Sequence, residues 1–287
     1  MKTSMEFPLV SVVLLTYNSS RTVREALESI NNQTYRKIEL IVTDDCSQDN
    51  TVSICNSWIA EKKERFHGVK IVTSEKNTGI SGNINRGIKE ANGEWIKILA
   101  GDDMLLNSGI NSLVTFILNN PSASIVFGRV EIYGEGKKSH NNFLWHFNEK
   151  LTRILDTPAE QNWYLHRSNF VVVIGMMMKK QLWKDVGGYD EEIPLLEDWP
   201  MWLRITASGY RLFFTEEVVA NYRLSDSTVT SRYVFNYSAY LFRYKYIFRQ
   251  PRKYKLLRKM TFLKKKSIFS AIVYKILAFD SLRYSVW

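Results

Sequence analysis

"VSVVLLTYNSSRTVREALESINNQTYRKIELIVTDDCSQDNT", residues 10–51, decides the fold. Two apolar runs, "LVSVVLLT" (9–16) and "IELIVT" (38–43), flank a segment in which Val23, Ala26, Leu27 and Ile30 recur at helical spacing. Strands that are apolar throughout, rather than alternating, are buried on both faces. A strand, a helix and a second such strand form a βαβ unit, the building block of parallel sheets. Both strands end in polar residues, Thr16-Tyr17-Asn18 after the first and Asp44-Asp45 after the second. Ligands of open parallel sheets bind beyond the carboxyl ends of the strands, so these residues are the first site candidates.

The alternation continues for about 120 residues. Asp49 or Asn50 stands where a cap belongs, ahead of a helix carrying Val52, Cys55, Trp58 and Ile59. "VKIVT" (69–73) is a third strand; Ile80, Ile84, Ile88 and Ala91 mark a third helix; "EWIKILA" (94–100) is a fourth strand, and a helix follows over 110–118. After Pro121 the rhythm loosens. "SIVFGRVEIYG" (124–134) reads as strand and turn, and the polar stretch 134–170, with Trp145 and Trp163, as a long loop with short helices. Residues 169–191 offer a strand and a short helix closed by Gly187-Gly188. A helix over 195–210, ended by Gly209, and a strand over 211–224 complete the pattern.

The fourth strand, within "WIKILAGDDML" (95–105), stops at Ala100-Gly101 and delivers Asp102 and Asp103. Neither G-x-G-x-x-G nor G-x-x-x-x-G-K-[ST] follows a strand, which argues against a dinucleotide site or a P-loop. Paired carboxylates repel a bare diphosphate, so they call for a cation. Mg²⁺ or Mn²⁺ is held by one or two carboxylates plus substrate phosphates. Tyr17 can stack on a base, and Asp45 can accept from a base N–H and from ribose hydroxyls. One Asp-Asp after a strand is better explained by a helix cap or a turn. Two such pairs, with T-Y-N on another strand end, are harder to explain that way.

Composition narrows the classes further. With 287 residues the chain is ample for a buried core. Cys46 and Cys55 make no disulfide framework, and no Cys/His spacing suits zinc, so a reducing, intracellular compartment fits. "LVSVVLL" (9–15) is short and follows Glu6 and Pro8, as a buried strand rather than a secretory segment would. No apolar run is long enough to span a bilayer as a helix. The net charge of +10 is unevenly spread: residues 232–287 carry fourteen Lys and Arg against one acid, Asp280, and residues 1–231 are slightly acidic.

Together, residues 10–51, "NTGISGNINRGIKEANGEWIKILAGDD" (77–103) and "LLEDWPMWLR" (195–204) resemble the inverting family 2 glycosyltransferases of GT-A fold, over roughly residues 7–225. The resemblance implies an α/β, mostly parallel Rossmann-like sheet flanked by helices. It implies a domain over 1–230, with a nucleotide-binding half at about 7–120 and an acceptor half at about 121–230. Thr16, Tyr17 and Asn18 then match the nucleotide-binding end of the first strand, and Asp45 the residue that contacts the base. Asn77 and Gly79 match the N-x-G loop beside the nucleotide. Asp102 and Asp103 match the DXD-type motif, with Asp103 the ligand of Mn²⁺ or Mg²⁺. Asp198 matches the catalytic base, Glu197 is its neighbour, and Gly187-Gly188-Tyr189-Asp190 matches the preceding "GGFDE" segment. Three positions depart from the pattern: Ala100 replaces the first acid of D-x-D-D, Ile84 replaces the arginine of "A-R-N", and Ser225 stands where some relatives carry a histidine near the metal.

The implied reaction moves a sugar from a nucleoside-diphosphate sugar, UDP-sugar favoured, to a glycan or polyprenyl-linked acceptor. One carboxylate base and one metal-assisted leaving group suit a single displacement with inversion. A catalytically silent carbohydrate-binding or scaffold protein on the same fold is the alternative that Ala100 leaves open. For Glu197-Asp198 alone, an exposed acidic first helical turn is the better explanation, and only the upstream motifs put the base ahead of it; Trp199 and Trp202 read as core. The basic, aromatic tail over 231–287 reads as a helical segment that meets an anionic membrane surface, which makes the protein cytoplasmic and peripheral on the inner face. A plain helical subdomain ranks beside that reading. Nucleic-acid binding ranks well behind both, and none is expected.

Overall fold

The βαβ pattern is realised in a computed structural model that describes residues 7–133, 155–166, 169–193 and 195–223. Strand β1 (Val10–Thr16) leads into α1 (Val23–Asn31), β2 (Ile38–Asp44) into α2 (Thr51–Lys62), and β3 (Gly68–Thr73) into α3 (Gly79–Glu90). Strand β4 (Trp95–Ala100) follows. These four strands are mutually parallel, in the order β3-β2-β1-β4. Their register aligns Thr16 with Asp44 and Leu15 with Ala100, so the polar ends of β1, β2 and β4 emerge on one edge.

Both faces of this half-sheet are covered, as the continuous apolar runs require. Val10, Val12 and Leu14 of β1 join Leu40 and Val42 in a core with Val23, Ala26, Leu27 and Ile30 of α1 and Cys55 and Trp58 of α2. Truncating a residue such as Leu27, which has no exposed surface, to alanine costs about 2–5 kcal/mol. On the other face α3 lies close to the sheet at Gly87, where a Cβ would stand 2.4 Å from Val13 Cγ1 and 2.8 Å from Thr43 Cγ2. Only glycine permits that approach.

The second half extends the sheet with mixed directions. Two-residue β5 (Met104–Leu105), α4 (Gly109–Asn119), β6 (Ile125–Tyr133), α5 (Pro158–Leu165), β7 (Met176–Lys179), α6 (Lys180–Asp185), α7 (Asp198–Ala207) and β8 (Phe213–Arg223) follow in chain order. The eight described strands run β3-β2-β1-β4-β7-β6-β8-β5. Strand β7 is antiparallel to β4 and β6, while β6 and β8 are parallel. Short β5 pairs with β8 through Met104 and Asn221, which brings the Asp102-Asp103 turn against the end of β8.

The strand expected within 169–191 occupies only Met176–Lys179; a 3₁₀ turn, Val173–Gly175, precedes it. In the stretch expected to be irregular, α5 is opened by a reciprocal cap, with Thr157 and Glu160 each bonding the other's backbone N–H. The helix placed over 195–210 begins at Asp198, and Glu197 stands at its N-cap position without a side-chain capping bond. Trp145, Ser225 and the basic tail lie outside the described residues. Among the described residues no helix is long and apolar enough to cross a membrane.

Candidate active site

Thr16 is buried, and its hydroxyl donates to Asp44 Oδ2 at 2.7 Å. Ser47 donates to the same carboxylate twice, N–H to Oδ1 at 2.8 Å and hydroxyl to Oδ2 at 2.6 Å. Asn18 has a left-handed φ of 49°. Its N–H donates to Ser47 Oγ, and its Oδ1 accepts from Gln48 N–H, both at 2.8 Å. Asx side chains tolerate that backbone region because they bond locally. Thr16, Asn18 and Asp44 thus fasten the ends of β1 and β2 together. Tyr17, between them, is 49% exposed and is free to offer a ring to a planar ligand.

Asp45 is also buried, and the chain supplies its donors. Thr78 N–H reaches both oxygens at 3.0 Å, Thr78 hydroxyl reaches Oδ1 at 2.7 Å, and Gly79 N–H reaches Oδ2 at 2.8 Å. Arg86 adds an ion pair at 3.0 Å. A carboxylate has about four acceptor sites, and these donors occupy most of them. Asp45 therefore organises the Asn77–Gly79 loop, in which the exposed Asn77 also accepts from Gly79 N–H at 2.9 Å. The "NIN" segment is buried. Asn83 Oδ1 accepts from Thr43 hydroxyl, and Asn85 binds Trp183 Nε1 and the backbone of Tyr189. Ile84, where the resemblance expects an arginine, lies in the core; Arg86 brings a guanidinium to Asp45.

Asp102 and Asp103 stand at the turn between β4 and β5. Asp102 is exposed, whereas Asp103 is 3% exposed. Oδ1 of Asp103 accepts from Arg223 N–H at 2.9 Å, and the Arg223 side chain donates to the Asp102 carbonyl at 2.8 Å while pairing with Glu25 at 2.5 Å. Burial and then the Asp102 charge push Asp103 up to about 8, against the opposing pull of Arg223 and Lys97. Lys97 lies wholly inside the sheet on β4, its ammonium donating to the carbonyls of Ile98 and Ile174. Burial lowers its pKa to about 7, and Asp103 opposes that shift. Among the described residues no three His, Cys, Asp or Glu converge. Two carboxylates at a strand end still suit Mg²⁺ or Mn²⁺, which take further oxygens from substrate phosphate and water.

The second acid pair is carried by the entry to α7. Gly187 and Gly188, at φ of 80° and 73°, turn the chain out of α6 in a conformation that other residues rarely adopt. Arg204 of α7 donates to the carbonyls of Val186 and Gly188, fixing this turn to the helix. Leu195 has φ of 58°, which is strained for a branched side chain. Asp198 Oδ2 accepts from Asn169 Nδ2 at 3.0 Å and Oδ1 from Trp199 N–H at 2.6 Å. Burial raises Glu197 to about 7, with the Asp198 charge adding to it, and burial raises Asp198 as well. Trp202 and Leu203 are core, and Trp199 is held by the Leu165 carbonyl at 2.6 Å.

The acid pairs are brought within electrostatic reach of one residue. Tyr222 of β8 is partly buried, and after burial the charges of Asp103, Asp102 and Glu197 raise its pKa. Sequence reading missed Lys97, Arg86, Asn169, Tyr222 and Arg223. Only Lys97 left a signal, a lone cation in the middle of an otherwise apolar strand.

Comparison with known proteins agrees with the fold. Residues 11–186 match the family described as Glycosyl transferase family 2. The putative glycosyltransferase EpsE of Bacillus subtilis is 27% identical over 233 residues, 80% of this chain and 78% of EpsE. The uncharacterized glycosyltransferase MJ1057 of Methanocaldococcus jannaschii is 27% identical over 77% of this chain and 72% of its own. Two solved structures share the fold. The mannosyltransferase PcManGT of Pyrobaculum calidifontis, in complex with GDP-Man and Mn²⁺, has TM-score 0.61 at 17% identity, covering 99% of this chain and 89% of that one. S. aureus TarS 1-349 in complex with UDP-GlcNAc has TM-score 0.60 at 18% identity, covering 82% of this chain but only 66% of TarS 1-349. The chain belongs to glycosyl transferase family 2, and it is a glycosyltransferase of GT-A fold.

Proposed function

We propose that this glycosyltransferase moves a sugar from a nucleoside-diphosphate sugar, with a UDP-sugar favoured, to a hydroxyl of a glycan or polyprenyl-linked glycan, with inversion. The observation that carries the reading is that the charges of Asp103, Asp102 and Glu197 all act on the partly buried Tyr222 and raise its pKa, so both acid pairs lie within electrostatic reach of one side chain. The acids read as the cation site and the acid beside the base therefore share one electrostatic neighbourhood. The fold neighbours solved with UDP-GlcNAc and with GDP-Man and Mn²⁺ support a nucleotide-sugar donor and a divalent cation.

Each residue then has a role. Tyr17 offers its ring to the base, and the Asn77–Gly79 loop, held by Asp45, borders the nucleotide. Asp103, with Asp102 beside it, is the side chain that would hold Mn²⁺ or Mg²⁺, which when bound supplies positive charge against the departing diphosphate. Asp198 takes the acceptor hydroxyl's proton as the new bond forms. One base and one leaving group suit a single displacement, hence inversion. A screen of UDP- and GDP-sugars for hydrolysis and for thermal shift tests the donor assignment. Hydrolysis of a UDP-sugar supports it, and the absence of any response across the panel counts against it.

The basic tail over 231–287 places the enzyme at the cytoplasmic membrane surface in this reading, where a polyprenyl-linked acceptor would lie. Its support is charge: each Lys or Arg near an anionic leaflet is worth about 1 kcal/mol. Replacing Lys264, Lys265 and Lys266 by Gln should weaken flotation with anionic vesicles at low salt, where screening is least. Equal flotation of variant and parent would remove this cluster as an anchor.

A further inference from the structure

The two carboxylates at the start of α7 differ in what surrounds them. Asp198 receives the Asn169 amide on Oδ2 and the Trp199 N–H on Oδ1. The buried indole N–H of Trp202, which has no hydrogen-bond partner of its own, adds to the field on Asp198. On Glu197 no side-chain donor lowers the pKa; its own backbone N–H is the one group that does, and Asp198 has that contribution as well. Donors to a carboxylate favour its ionised form, and adjacent acids with unlike donors divide into one charged and one neutral member. Asn169 itself is oriented. Its Oδ1 accepts from Val171 N–H at 3.3 Å, which leaves the NH₂ end for Asp198.

We propose that Asn169 is a positioning residue that fixes Asp198, and not Glu197, as the proton acceptor of the pair. The inference rests on the reading of this pair as the site of the base. The amide arrives from a segment 29 residues upstream, so it is a tertiary contact that pins Asp198 to the chain entering β7. By holding Oδ2 in place, it leaves the remaining lone pairs of a charged Asp198 to receive the proton. Glu197, without such a donor, is the acid that keeps its proton longer. Other groups face the pair from neighbouring elements. Tyr189 of the glycine turn feels both acids as well as Arg204 of α7. Tyr222 of β8 feels Glu197. Helix α5, which meets α7 through Leu165 and Trp199, closes with His166. None of these bonds to Asp198 in place of the amide.

The test reads ionisation directly and needs neither donor nor acceptor. The full chain is labelled with ¹³C at the Asp and Glu carboxyls, the two signals are assigned with Asp198→Asn and Glu197→Gln, and pH is titrated by NMR. In the parent, Asp198 should ionise at lower pH than Glu197. In Asn169→Ala, and in Asn169→Leu, which removes the donor without adding a charge or opening a cavity, the Asp198 midpoint should rise by about one pH unit or more. The gap to Glu197 should narrow or reverse. A parent in which Glu197 ionises first overturns the proposal, as does an Asp198 midpoint that stays put in the variants. Failure of the base reading shows separately, as full turnover in Asp198→Asn.

Discussion

Asp44-Asp45 and Asp102-Asp103 are the same dipeptide at the carboxyl ends of two strands of one sheet, yet their surroundings are opposite. The first pair is engaged by the chain itself: Thr16 and Ser47 donate to Asp44, and Thr78, Gly79 and Arg86 donate to Asp45. In the second pair Asp102 is exposed, and buried Asp103 takes one backbone N–H from Arg223 and is pushed up to about 8. A carboxylate with satisfied lone pairs is a fastener. One that is buried beside a like charge is the better partner for a cation. The dipeptide alone does not distinguish these roles; the donors brought by distant residues do.

The comparison can be broken at several points. The largest effect is expected from Asp103→Ala, which should bring sugar transfer to background while the thermal unfolding curve stays close to the parent's; measurable transfer would remove Asp103 from the essential set. Asp198→Asn keeps the shape of the base but cannot take a proton. It should lower turnover by about 10²–10⁴-fold with donor affinity intact, and near-normal rates would move the role elsewhere. Asp45→Ala should act on stability instead. It removes the acceptor of Thr78 N–H and the ion-pair partner of Arg86, which keeps bonds to the Asp44 carbonyl and Asn83 Oδ1, so the loss should fall below the about 3–5 kcal/mol of a buried pair broken without compensation. Urea unfolding measures this, and a variant as stable as the parent would show that Asp45 is not a fastener.

The smallest effect concerns pH. Glu197 binds its proton more tightly folded, with a pKa near 7, than unfolded, near 4.5. The folded state therefore holds more protons across that window, and stability falls as pH rises from about 4.5 to 7. Glu197→Gln should flatten the decline. An unchanged slope would assign the decline to other groups.

What the sequence disclosed follows from the range of the forces involved. Strands β1 to β4 and helices α1 to α4 were legible because burial on both faces writes continuous apolar runs and helical spacing into adjacent residues. Two-residue β5 is too short to leave a pattern, and the "FVVVI" run hid that the paired strand is Met176–Lys179. The positions of the acids were legible; their states were not. Asp45 depends on a loop 33 residues away, Asp198 on Asn169, and Asp103 on Arg223, 120 residues away. Lys97 was visible as a charge in a strand, but its complete burial depends on neighbours in β7 and the turn before it.

The central claim is that the two aspartate pairs do different work, one holding the chain and the other holding a cation for the nucleotide. Calorimetric titration of UDP, with and without Mn²⁺, into the parent and Asp103→Ala tests it most directly. The parent should bind UDP more tightly with Mn²⁺ than without, and Asp103→Ala should bind it equally weakly in both conditions. If Asp103→Ala keeps the parent's Mn²⁺-dependent gain, the account of the second pair is wrong.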